Sequence, residues 1–224
     1  MDAGYYFAQE SIDEFPLLFE NTKHVWDVIK KIPSYLTHQA VKKIEIVIPP
    51  GVYLENPELI SIGIGTKIEP GVYIKGPVSI GCNCKILHGA YIRENTILGN
   101  DAVVGHNTEI KNSLFLQGAH AAHFNYVGDS ILGTNTNLGA GVICANLRLD
   151  KKNISIRLNG EKIETGMKKL GLILGDRSQI GCNSVVNPGT LVGLNVLCDP
   201  SITIKGFIPS NARVKSQKMY TVEV

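Results

Sequence analysis

Aliphatic residues recur every six positions from Ile62, through Ile68, Ile74, Ile80, Ile86, Ile92, Leu98, Val104 and Ile110 to Leu116. Two places before most of them stands a small or modest side chain: Thr66, Val72, Val78, Cys84, Ala90, Thr96, Ala102, Thr108. Glycine follows directly at Gly63, Gly81, Gly99 and Gly105. The register returns at Leu132, Leu138 and Cys144, then at Leu174, Ile180, Val186, Val192, Cys198 and Ile204. Apolar positions of an α-helix recur every three or four residues, and hairpin strands alternate by two between turns, so six fits neither. Six residues make one short strand and one corner; three such units close a triangular coil, and coils stack as parallel strands about 4.8 Å apart. The pattern predicts an all-β fold, a left-handed parallel β-helix of hexapeptide repeats. Its aliphatic positions point inward, its small residues fill the corners and glycine relieves crowding beside them. That handedness departs from the usual right-handed crossover.

Three departures divide the chain. Residues 1–44 carry no hexads; Val25, Val28, Ile29 and Ile32 follow helical spacing, with Asn21 or Thr22 as cap and Pro33 as stop. This predicts an N-terminal helical appendage packed on the first coil. The step from Leu116 to Leu132 is 16, which places a register slip within 117–131. Across 147–170 the hexads vanish: Ile154, Ile156 and Leu158 alternate, Asn159-Gly160 offers a turn, and Ile163 returns, reading as an inserted β-hairpin near 150–168. Lys151, Lys152, Arg157, Lys168 and Lys169 flank it. The expected organisation is therefore appendage 1–44, β-helix 45–208 with insertion 147–170, and a C-terminal tail 209–224.

Composition narrows the function classes. Charged residues are only 19% and net charge is +2, so nothing marks the chain for nucleic acid or a membrane surface. No apolar run approaches the roughly 18 residues of a membrane span. The N-terminus lacks a basic region before an apolar core, and the five cysteines (82, 84, 144, 182 and 198) show no zinc-type pairing. A reduced, cytoplasmic protein is the expectation.

Three hexads make 18 residues, so positions 18 apart stack. Lys75, Arg93 and Lys111 keep that spacing, each directly after an inward aliphatic residue. Like charges about 5 Å apart repel by roughly 1 kcal/mol in water, so the side chains either splay into solvent or share an anion. A charge-assisted bond to phosphate contributes about 1.5–3 kcal/mol. His123, with Tyr126, Asn137 and Asn146 close behind, lies near the slip. Histidine accepts a proton near neutral pH, and asparagine can hold an amide or an oxyanion.

The motifs AHFNYVGDSILG (122–133), NLGAGVICANLRLD (137–150) and KKLGLILGD (168–176) resemble the acetyltransferase half of a known bifunctional family. That family is glucosamine-1-phosphate acetyltransferase / N-acetylglucosamine-1-phosphate uridylyltransferase, and the hairpin form is most similar to its archaeal-type sugar-1-phosphate branch. The resemblance covers roughly residues 45–208. It implies acetyl transfer from acetyl-CoA to the amine of a sugar 1-phosphate, without a metal, on a homotrimer with sites between subunits. It also implies that His123 is the general base and that Arg93 and Lys111 hold the sugar phosphate. Tyr126 and Asn137 would contact substrate, Asn146 would help hold the sugar or the developing oxyanion, and Ala140 would make a main-chain contact to CoA. Lys75 has no counterpart. Nothing resembles the family's Gly-rich nucleotide loop, so uridylyl transfer is not expected. Leu147 stands where the common bacterial enzyme has an aromatic, which leaves the sugar open. His120 stands at an inward corner slot where that enzyme has a cation.

Three readings follow. The first is an N-acetyltransferase acting on an amino-sugar 1-phosphate, glucosamine 1-phosphate first. The second is a catalytically silent trimeric β-helix that supports a separate sugar nucleotidyltransferase. The third, a zinc carbonic anhydrase, needs three converging histidines, two of them five apart; His106, His120 and His123 are spaced 14 and 3.

Overall fold

A period of six can satisfy its backbone only by stacking coil on coil, and the chain does so. The computed structural model of the chain describes residues 2–38, 43–158 and 160–216. Among these, three parallel eight-stranded sheets form the sides of a left-handed β-helix, each taking every third strand in chain order once the two hairpin strands are set aside. The first sheet runs from Tyr53–Glu55 to Thr203–Ile204, the second from Ile60–Ile62 to Phe207–Ile208, and the third from Lys67–Ile68 to Arg213–Val214. Ile62, Ile68, Ile74, Ile80, Ile86 and Ile92 all lie buried in one continuous core with Val104, Ile110 and Val186. Most corners turn through a left-handed residue, and Asn or Asp usually supplies it, as at Asn83, Asn95, Asp101 and Asn107. A short polar side chain tolerates that conformation better than other non-glycine residues do.

The register slip differs from the expected one. Leu98 pairs with Phe115 and Val104 with Ala121, offsets of 17 rather than 18. The inward residue after Ile110 is thus Phe115, five positions on, and Leu116 faces a separate outer cluster. A second five-residue step separates Val127 from Leu132. Both contractions fall between the first and second sheets, at Asn112 and Asp129, which have φ of 45° and 50°. Ser113-Leu114-Phe115-Leu116 offers apolar side chains in three consecutive places, so spacing alone cannot choose among them. The same shift places Ala121 inward and turns His120, paired with Val103 and Asn137, to the outside of the third sheet instead of the inward slot.

The N-terminal segment forms α1 (Gln9–Asp13), α2 (Pro16–Phe19) and α3 (Asp27–His38). Pro33 does not stop α3: a proline costs one backbone hydrogen bond, and burial of Leu36 beyond it carries the helix on. Nor do the helices sit on the first coil. Tyr6, Phe7, Leu18, Trp26, Ile29 and Ile32 cover the outer face of the second sheet at Ile97, Leu114, Ile131, Ile173 and Leu191. There that sheet's strands are apolar on both faces; at Ser61 and Ser79, nearer the start, the outward residue is polar. Two carboxylates latch the cap. Asp176 accepts from Ala8 N (2.8 Å), Ser11 Oγ (2.8 Å) and Thr134 N (2.7 Å), and Glu14 accepts from Gln117 N (3.0 Å).

The hairpin pairs Ser155–Leu158 with Glu161–Glu164, Ile156 opposite Ile163, and Asn159 of its turn lies outside the described residues, as do residues 217–224 of the C-terminal segment. Ile154, Ile156 and Leu170 join the cluster under the helices, and Lys30 Nζ donates to Thr165 O at 3.1 Å. No helix among the described residues is long and apolar enough to cross a membrane.

Because Leu114 is fully buried beneath the cap, Leu114→Ala is expected to cost about 2–5 kcal/mol in urea unfolding. Ser79→Ala, at the uncovered end of the same outward column, should stay within about 0.5 kcal/mol. Equal effects would show that the helices do not cover Leu114.

Candidate active site

The outer face of the first sheet gathers most of the residues singled out above. Its outward column reads Tyr53, Tyr73, Tyr91, Glu109, Tyr126 and Ile143. At its border with the second sheet, Lys75, Arg93 and Lys111 stack on successive coils, as the 18-residue spacing predicts. Each finds a carboxylate: Lys75 Nζ–Glu55 Oε1 3.2 Å, Arg93 Nη1–Glu109 Oε1 2.9 Å, Lys111 Nζ–Asp129 Oδ2 3.4 Å. Interleaved acids, rather than splayed side chains, relieve the repulsion. The Glu109 hydrogen bond and the neighbouring Glu94 raise the Arg93 guanidinium further above its ordinary range. Arg93 also lies over the Tyr91 ring, 5.9 Å from its centroid.

One pair differs from the rest. The Lys75–Glu55 pair is solvent-exposed, whereas the Lys111 and Asp129 side chains keep only 14% and 6% of their accessible surface. Asp129 Oδ1 accepts from Asn112 Nδ2 at 2.7 Å. Its Oδ2 accepts from Lys111 and from Asn146 Nδ2. Asn146 Nδ2 also donates to the Tyr126 hydroxyl at 3.2 Å. Tyr126 and Asn146 meet over Gly128, where a Cβ would lie 2.5 Å from Asn146 Nδ2 and 2.7 Å from the Tyr126 oxygen. Burial, with Glu109 nearby, raises the Tyr126 hydroxyl, which therefore keeps its proton.

His123 stands at the other border of this sheet, at the corner shared with the third sheet, and its side chain is exposed. Buried Asn125 fixes that corner: it accepts from His123 N (3.1 Å) and donates to Gly139 O (2.8 Å). The strand between the two borders, Tyr126–Gly128, is three residues or about 7 Å long. No hydrogen bond among the described residues joins His123 to the Asn146 cluster. Asn137 and Ala140 lie with His123, on the third sheet and at its next corner, where Ala140 O accepts from Asn183 N at 2.8 Å. Arg93, Lys111, Tyr126 and Asn146 thus form one group, and His123, Asn137 and Ala140 another. His106 and His123 pair on adjacent coils, but no group of His, Cys, Asp and Glu among the described residues is arranged to hold a metal ion. Beyond Asn146 a cleft of about 640 Å³ opens between Leu147, Arg148, Pro188 and Lys205.

Asp129 and Glu109 were not singled out from the sequence. Asp129 is 18 residues beyond Lys111, a spacing that would have flagged it, yet the contracted corner puts Gly128 opposite Lys111 and lets Asp129 reach back.

A family model described as the GMPPB C-terminal domain matches residues 74–165. The bifunctional sugar-1-phosphate nucleotidylyltransferase/acetyltransferase of Sulfurisphaera tokodaii is 38% identical over 87 residues, 39% of this chain and 22% of that protein. The chain therefore spans about a quarter of such relatives. The uncharacterized acetyltransferase YaiX of Escherichia coli O6:K15:H31 is 32% identical over 190 residues, 85% of this chain and 83% of YaiX. Among solved structures, the UDP-N-acetylglucosamine acyltransferase of Bacteroides fragilis covers 75% of this chain, and 70% of its own is covered, with TM-score 0.47 and 20% identity.

Burial separates the two lysines. Lys111→Met should cost about 1.5–3 kcal/mol of stability by withdrawing a charged donor from Asp129. Lys75→Met should cost under about 1 kcal/mol, as exposed pairs do. Parallel urea titrations test this, and equal losses would contradict the burial of the Lys111–Asp129 pair.

Proposed function

We propose a reaction for this chain from the fact that it belongs to the hexapeptide-repeat acetyltransferase family: it transfers acetyl from acetyl-CoA to the amine of an amino-sugar 1-phosphate, glucosamine 1-phosphate first. The observation that carries this is the cluster on the first sheet, where Arg93, Lys111, Tyr126 and Asn146 converge on one outer face. Cations at that border suit a sugar phosphate, even though each is already matched by an acid. A phosphate must then compete with Glu109 for Arg93, where its two charges give it the advantage over a single carboxylate, and share the three hydrogens of Lys111 with Asp129.

In this reading the amine nitrogen attacks the thioester carbonyl, a C–N bond forms, and the C–S bond breaks. His123 takes the proton that the nitrogen sheds and passes it to the departing thiolate. Asn146 holds the reacting centre, Tyr126 and Asn137 contact the sugar, and the main chain at Ala140 contacts CoA. His123 and Asn137 sit apart from the Asn146 cluster in one chain, which fits sites completed between the subunits of a homotrimer. The same reading places the protein in the cytoplasm, where acetyl-CoA and sugar phosphates meet.

Release of CoA thiol with acetyl-CoA and a panel of hexosamine 1-phosphates tests the proposal. Turnover should appear with glucosamine 1-phosphate and fall about 10²–10⁴-fold in His123→Ala. Absence of thiol release with every hexosamine 1-phosphate, or an undiminished rate in His123→Ala, would sink it.

A further inference from the structure

A carboxylate offers only acceptors, whereas an asparagine amide offers two hydrogens on one side and a carbonyl oxygen on the other. Asn146 faces Asp129, so its nitrogen must point that way; the reverse flip would set oxygen against oxygen. Its two hydrogens go to Asp129 Oδ2 and to the Tyr126 hydroxyl. Both donors are spent, and Asn146 meets any ligand with Oδ1, an acceptor. Asp129 is itself held by Lys111 and Asn112, so this orientation is imposed from beneath. Tyr126, receiving from Asn146, keeps its own O–H to donate elsewhere.

We propose that Asp129 is a positioning residue that locks the Asn146 amide with its carbonyl oxygen toward the acceptor, selecting an amine over a hydroxyl. The inference rests on the acetyl-transfer reading above. A neutral amine has two hydrogens: one goes to Asn146 Oδ1, the other to His123, and the lone pair faces the thioester. When the C–N bond forms, His123 removes one hydrogen and the product amide keeps the other on Asn146 Oδ1. A hydroxyl has a single hydrogen and cannot serve both partners. Of the two roles open to Asn146, holding the acceptor thus fits and donating to an oxyanion does not.

The full-length protein provides two tests. By NMR, the side-chain amide hydrogens of Asn146, identified by their loss in Asn146→Ser, should exchange with water at least about tenfold more slowly than those of half-buried Asn137. Equal rates would overturn the locked orientation whether or not the protein turns over. By kinetics with acetyl-CoA and glucosamine 1-phosphate, Asp129→Asn and Asn146→Asp should each lose about 10–100-fold in kcat, the scale of one charge-assisted hydrogen bond, with little change in the KM for acetyl-CoA. The double variant Asp129→Asn/Asn146→Asp restores an N–H···carboxylate pair and an outward acceptor, and should recover at least about tenfold over the weaker single variant. No recovery in the double variant, with all three proteins folded, overturns the proposal. A wild-type protein inert toward every hexosamine 1-phosphate but with protected Asn146 hydrogens would refute acetyl transfer and leave the positioning intact.

Discussion

Hydrogen bonds between successive coils force each residue to lie over a fixed partner on the coil before it, 17 or 18 places back through most of the solenoid and 42 back across the inserted hairpin. Arg93 N donates to Ile110 O and Tyr91 N to Thr108 O, and the pattern continues coil by coil. A side chain that suits a position must therefore suit its whole column. Inward columns become apolar, mostly aliphatic with Phe115, Cys144 and Cys198 among them, because a polar group there would be buried without a partner. Outward columns become ladders of like residues, and a ladder of cations is tolerable only if acids are threaded through it.

That constraint shapes the electrostatics of the first sheet. Glu55, Glu109 and Asp129 each answer the cation beside them. The pairs grow less exposed toward the middle of the solenoid, where the two shortened corners draw Asp129 under Lys111 and Asn146. Contraction by one residue thus does more than shift register: it converts a surface ion pair into a buried network with fixed donors and acceptors. Such networks are costly when half-satisfied and rigid when complete, and this one has a donor for both carboxylate oxygens.

The inward column from Ile62 to Ile110 and the stack of Lys75, Arg93 and Lys111 were legible in the sequence because both depend only on spacing. Leu116 misled because Leu114, Phe115 and Leu116 are interchangeable to a periodicity argument; which one turns inward is decided by a corner at Asn112 that spacing does not encode. The docking of the helices was in principle readable: Ile97, Leu114, Ile131, Ile173 and Leu191 are apolar at outward positions, where a solvated sheet carries Ser61 and Ser79. Pro33 was overruled by tertiary burial of Leu36, which no local rule contains. Asp129 stayed hidden because its contribution arises from where the register breaks: of the two breaks, the one at Asp129 falls within the expected 117–131 and the one at Asn112 lies before it.

The cap latch has a bearing on how the chain is made. Ala8 bonds to Asp176, 168 residues away, and the helices rest on sheet positions as late as Leu191. A ribosome adding about 5–20 residues per second needs roughly ten to thirty seconds to supply that distance. Through that interval the surface that Tyr6, Phe7, Leu18 and Trp26 cover is incomplete, Ile97, Leu114 and Ile131 arriving well before Ile173 and Leu191. The helices are made before the coils they cover, so the lid waits for the solenoid beneath it to be completed. Exposure of that N-terminal apolar segment during synthesis, rather than failure of the repeat, is where this architecture is most vulnerable to association with other chains.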